Sequence, residues 1–221
     1  MSSSAIAGLT LYHYPLSRSL RVRYLLEEIG AAHGVVKVDL IRGEGMSPDF
    51  LRRNPNHAVP VLVVDYADGT RHTQIESGAI MLFLADAYSE AGLAPAADAG
   101  APRADFLSQL FFHASHLDMS LWQIRLNETL FPKPVRSAAI AQFNRDKISN
   151  EMIPQMEARL DGRDWMLGDR FSAVDCIAAQ NINWMRAYGM ARSGPLDAYM
   201  RRHMSRPAWQ AATADAAEFE R

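Results

Sequence analysis

The stretch from Asn54 to Ala79 constrains this chain most, because it joins a strand-opening proline, a hairpin and a helix start within one short span. Val61 to Tyr66 is apolar and largely β-branched, and Ala67-Asp68-Gly69 is a turn in which glycine can take positive φ. Arg71 to Ile75 then reads as the returning strand, so two paired strands are expected. Pro60 stands at the first position of the leading strand, where a missing N–H is tolerated. A cis Val59-Pro60 bond would turn the backbone N–H and C=O of Val59 out of the sheet, toward an extended peptide.

Glu76-Ser77 follows at once, and Ile80, Met81, Phe83 and Leu84 recur with helical spacing, which makes Ser77 the expected N-cap. A helix start offers free N–H groups and partial positive charge to a carboxylate, and Glu76 beside it suits an ammonium. The two residues together fit an α-amino acid headgroup. Taken singly, they read first as an ordinary cap and an exposed strand-end acid.

Upstream, Leu9 to Tyr14 alternates like a half-buried strand, Pro15-Leu16-Ser17-Arg18-Ser19 breaks it, and Val22, Leu25, Leu26 and Ile29 give a helix closed by Gly30. Val35 to Ile41 is the second expected strand, and Ser47-Pro48-Asp49-Phe50-Leu51 a short capped helix. The order over the first 88 residues is therefore βαβαββα. The Ala-, Gly- and Pro-rich stretch at 89–103 reads as a linker, and 104–221 as an all-α domain. There, Phe106, Leu110, Phe111, Ala114, Leu117, Leu121 and Ile124 trace one helix face, and Ala138 to Leu160 form a second helix kinked at Pro154. Ser172 with Asp175 makes a capping-box variant at the start of another.

Composition narrows the function. With 23 basic against 25 acidic residues the net charge is −2, which argues against a nucleic-acid partner. No basic-then-apolar leader opens the chain and no run is long enough to span a membrane, so a cytoplasmic protein is expected. The single cysteine, Cys176, lies in an apolar helix and forms no CxxC pair, so it is read as a structural thiol in a reducing compartment. His113 and His116 have metal-ligand spacing but no third partner; they are read as polar helix positions, and no metal is expected.

Asn54-Pro55, Ala58-Val59-Pro60-Val61-Leu62, Glu76-Ser77-Gly78-Ala79-Ile80, Leu167-Gly168-Asp169 with Ser172 and Asp175, and Arg206-Pro207-Ala208-Trp209 fall in one order. Together they resemble the soluble glutathione S-transferases, in a bacterial-like, serine-type form. The resemblance implies a thioredoxin-like N-terminal domain, a helical bundle behind it, glutathione as co-substrate, a hydrophobic electrophile, a detoxification role and a homodimer. It implies that Ser17, Arg18, His57, Val59, Pro60, Glu76 and Ser77 bind glutathione. Ser17 is the expected catalytic hydroxyl, with Tyr14 and Ser19 as competitors; Tyr12 is expected to pack and Tyr14 to be the more open phenol.

A hydroxyl at a helix start lowers a thiol pKa by a hydrogen bond and a dipole, each unit needing about 1.4 kcal/mol. Tyr14, Leu16, Phe112, His113 and His116 are the residues that the resemblance implies for the electrophile pocket. Where the family often carries polar residues for the glycine carboxylate, this chain has Ala58 and Gly45-Met46, leaving His57 or Asn56 to replace them. The alternatives are a glutathione-binding protein with little turnover, or a specialised glutathione-dependent dehalogenase, peroxidase or isomerase.

Overall fold

The computed structural model describes residues 5–218; the outermost residues of the two expected domains, 1–4 and 219–221, lie outside it. Two compact units are present. One is formed by the chain up to Ala91 together with the stretch from Ser205 on, the other by Gly92–Met204.

The first unit begins with β1 (Ile6–His13), α1 (Ser19–Ile29), β2 (Gly34–Lys37) and the short α2 (Pro48–Leu51). It continues with β3 (Val61–Tyr66), β4 (Arg71–Gln74) and α3 (Ser77–Ala87). The sheet order is β2-β1-β3-β4, with β1 parallel to β2 and antiparallel to β3, and β3 antiparallel to β4. This is the βαβαββα arrangement expected. Leu9, Leu11, Val61, Leu62 and Val64 of the sheet and Val22, Leu25, Ile80, Met81 and Leu84 of α1 and α3 are all buried.

The second strand is shorter than expected. Val38 still donates its N–H to His13, but the Asp39 carboxylate then accepts from the backbone of Ile41 and Arg42. That side-chain turn competes with the ladder and ends the strand at Lys37.

Helix α10 (Pro207–Ala212) belongs with the first unit rather than with the helical one. Trp209 meets the Tyr24 ring of α1 edge-on at 5.2 Å, and Arg206 binds Glu28 through both carboxylate oxygens. The Arg-Pro-Ala-Trp segment is therefore a clasp on α1.

The second unit holds α4 (Ala101–Phe111), α5 (Asp118–Arg125), α6 (Ala138–Lys147), α7 (Ile153–Arg159), α8 (Ala173–Ala187) and α9 (Gly194–Met204). The expected long helices are interrupted by wide π-type turns at Phe112–Leu117 and Ile148–Met152. The second of these ends just before Pro154, whose missing N–H disturbs the helical ladder. The core stripe is Phe106, Leu110, His113, Leu117, Leu121 and Ile124, so Phe111, 53% exposed, is not part of it. His113, read as a polar helix position, is fully buried, and its own carbonyl accepts from Asn181.

The capping box at α8 is present and larger than its motif. Asp175, fully buried, accepts from the Ser172 N–H at 2.8 Å, the Ser172 hydroxyl at 2.9 Å, the Met166 N–H at 2.9 Å and the Tyr199 hydroxyl at 2.7 Å. Burial pushes its carboxyl pKa up, while these four donors oppose the shift. Cys176, next to it, is buried too. Asp175→Ala would leave several buried donors without an acceptor and is expected to lower stability by about 3 kcal/mol or more, read from the urea midpoint at unchanged m.

Candidate functional site

Sheet register brings three loops to one end of the first unit. Tyr12 pairs with Val61 and Leu62 with Gln74, so the end of β1, the start of β3 and the end of β4 are neighbours. Beyond them lie Pro15–Arg18, Asn54–Pro60 and Ile75–Ser77. Tyr14, Val38, Phe50, Val59 and Val61 form one apolar cluster under these loops, with Tyr12, Leu40 and Ile75 packed against it.

Each loop carries a non-glycine residue at positive φ: Leu16 at 56°, His57 at 47° and Glu76 at 68°. Such conformations cost on the order of 1–3 kcal/mol each and persist only where their surroundings enforce them. Gly45 shows one such constraint, since a Cβ there would stand 2.8 Å from the His57 carbonyl oxygen. The Val59-Pro60 bond is cis. Asn54, which the sequence reading used only as a motif letter, organises the loop: its Nδ2 donates to Ala58 and its Oδ1 accepts from Asn56.

At the end of β1 the Tyr14 carbonyl accepts from the Ser17 hydroxyl at 2.7 Å, and the Ser17 oxygen accepts the Ser19 N–H at 3.3 Å. Ser17 is half-buried and stands at the start of α1, whereas Ser19 is fully buried. Ser19 Oγ lies 2.8 Å from Ser17 Oγ and 2.8 Å from His13 Nδ1, and it accepts the Tyr14 N–H at 3.1 Å. His13 Nε2 in turn lies 3.3 Å from Asp215 of the C-terminal segment, which also binds Arg23 at 2.6 Å. Of the competing hydroxyls, only that of Ser17 is both at the helix start and partly accessible.

Tyr14 is not the open phenol expected. It is 5% exposed within the apolar cluster, while Tyr12 is half-buried against Phe50 with Arg53 above its ring. Arg18 and Leu16 are half-buried, and His57 is exposed.

At α3 the N-cap position belongs to Glu76, whose carbonyl accepts the Ile80 N–H at 2.9 Å. Ser77 is instead the first helical residue, and its hydroxyl accepts from Arg21 Nη1 at 3.2 Å. Glu76 is exposed and Ser77 is 8% exposed. The sequence reading missed Arg21, His13 and Asp215. For Arg21 and His13 the only signal was a titratable or charged residue in line with buried apolar ones; Asp215, in a turn after α10, carried none.

In the helical unit, Phe112 is half-buried and stacks on the exposed His116 ring at 6.0 Å. Among the described residues no group of three or more His, Cys, Asp or Glu is arranged to hold a metal ion, and no helix is long and apolar enough to cross a membrane.

Residues 7–86 match the family described as Glutathione S-transferase, N-terminal domain, and residues 146–202 match Glutathione S-transferase, C-terminal domain. The chain belongs to the glutathione S-transferase family. This family member is 31% identical over 175 residues to Glutathione S-transferase 3 of Zea mays, with 77% of this chain and 75% of that one covered. It is 29% identical over 180 residues to the Disulfide-bond oxidoreductase YfcG of Escherichia coli K12, covering 80% of each. A sphingomonad glutathione S-transferase solved in complex with glutathione superposes with a TM-score of 0.79 at 29% identity, over 94% of this chain and 98% of that one.

The buried His13 sets a pH dependence. Burial lowers its pKa to about 4, Asp215 opposing the shift and Arg23 adding to it. A folded-state pKa below the unfolded value near 6.5 means that the unfolded chain binds more protons between those limits. The stability contribution is therefore present above pH 6.5 and lost on acidification toward pH 4, by roughly 3 kcal/mol. His13→Gln is expected to flatten this part of the stability profile, measured by denaturation at stepped pH.

Proposed function

We propose that this protein is a cytoplasmic, homodimeric glutathione transferase. Glutathione lies along Val59 and Pro60 with its γ-glutamyl ammonium at Glu76 and carboxylate at Ser77, and His57 reaches its glycine end. The single observation carrying this reading is the Ser17 hydroxyl, partly accessible just ahead of α1 and supported from behind by Ser19. A hydroxyl donor and a helix dipole there stabilise the glutathione thiolate, with Arg18 adding positive charge. The thiolate then attacks the electron-poor carbon of a hydrophobic electrophile, forming a C–S bond as the leaving group departs with its electron pair.

The likeness to a disulfide-bond oxidoreductase supports a second reading at the same site. Cys176, the chain's one cysteine, is buried, so the attacking sulfur in that chemistry would also be glutathione's. The bound thiolate would open a substrate disulfide to a mixed disulfide, and a second glutathione would resolve it, leaving glutathione disulfide and the reduced substrate.

Calorimetry with glutathione, followed by assays with an aryl halide and with a small organic disulfide, tests both. Binding with conjugation of the halide is the expected result; reduction of the disulfide alone would select the second reading. Ser17→Ala is expected to lower turnover at neutral pH by about tenfold or more while leaving the glutathione Kd within about twofold, as for loss of one charge-assisted hydrogen bond. Unchanged turnover would remove Ser17 from its role.

A further inference from the structure

Arg21 sits on the third position of α1 with none of its surface exposed. Its Nη1 donates to Ser77 Oγ at 3.2 Å, so the first residue of α3 receives a hydrogen bond from a guanidinium buried on another helix. An arginine stays protonated at every working pH, which makes it a permanent donor. This fixes the direction of the Ser77 hydroxyl. One lone pair on Ser77 Oγ is occupied from the protein side, and the serine's own proton is left to point elsewhere. The start of α3 also presents backbone N–H groups and the positive end of the helix dipole. Glu76, held at φ 68°, keeps its carboxylate on the exposed side. Positive charge therefore lies behind Ser77 and negative charge beside it.

We infer that Arg21 is a positioning and specificity residue for the carboxylate of the γ-glutamyl group, acting through Ser77; this rests on the glutathione reading above. Arg21 touches no ligand. It turns Ser77 into a committed donor and adds a buried positive potential behind the carboxylate, so that an α-amino acid headgroup is preferred to a simple amine. The hydroxyl of an unassisted serine would be free to act as acceptor as well as donor, and that discrimination would fall.

Two ligands separate this role from general loosening: glutathione, and 4-aminobutyryl-cysteinyl-glycine, which lacks only the γ-glutamyl carboxylate. Calorimetry on the wild-type protein comes first. Failure to bind glutathione at all overturns the functional reading itself, before any variant is made. Given binding, Arg21→Gln is expected to weaken glutathione on the order of tenfold, as for loss of a charge-assisted contact, and the carboxylate-free ligand less than twofold. Ser77→Ala is expected to show the same pattern, and the double variant no more than the larger single effect. Equal weakening of both ligands by Arg21→Gln, or single effects that multiply in the double variant, overturns the inference. Removing a buried arginine can prevent folding, so Ser77→Ala also stands alone: if it leaves the preference for glutathione over the carboxylate-free ligand unchanged, Arg21 has no route to the ligand and the assignment fails.

Discussion

The carbonyl of Tyr14 and the hydroxyls of Ser17 and Ser19 form one hydrogen-bonded knot where β1 gives way to α1. A strand cannot enter a helix without leaving backbone groups unpaired, and buried unpaired groups each cost about 1–3 kcal/mol. Here the Tyr14 N–H is taken by Ser19, the Ser19 N–H by Ser17, and the Tyr14 carbonyl by either hydroxyl. The knot is anchored inward by His13 and through it by Asp215. A side chain that satisfies the chain's own turn thus ends at the accessible face, and chemistry at Ser17 uses a hydroxyl whose position is fixed by the fold.

The C-terminal segment is part of that anchorage. Arg206 on Glu28, Trp209 on Tyr24 and Asp215 on Arg23 fasten it along α1, and Lys37 of β2 binds Glu218 beyond them. Of these ion pairs only Lys37–Glu218 is exposed, and a pair of that kind contributes little. The imidazole they lead to is held neutral by burial, which ties this anchorage to pH. A segment that would be expected to end the helical domain therefore supports the opposite end of the chain.

Strain and its support also fall together at the candidate site. Of the four non-glycine residues at positive φ among the described residues, three lie on the loops after β1, before β3 and after β4. The apolar cluster of Tyr14, Phe50, Val59 and Val61 holds those loops from below, and the backbone of His57 closes over Gly45. The helical unit solves a different problem, gathering four donors from three segments onto the buried carboxylate of Asp175.

Local order was legible in the sequence wherever the deciding contacts were local. Alternation set β1 and β3, Asp68-Gly69 set the hairpin, helical spacing set α1 and α3, and the Ser172/Asp175 spacing set the cap of α8. Motif order carried the family and placed Ser17, Glu76 and Ser77 at loop ends. What only the tertiary structure decided were the contacts between residues far apart in the chain. Arg21 reaches Ser77 across 56 positions, and Arg23 reaches Asp215 across 192. Periodicity reports which face of an element is apolar, not which polar group from another element will be buried against it. For that reason Tyr12 and Tyr14 exchanged their expected exposures, His113 joined the core stripe, and the last helix moved to the first unit.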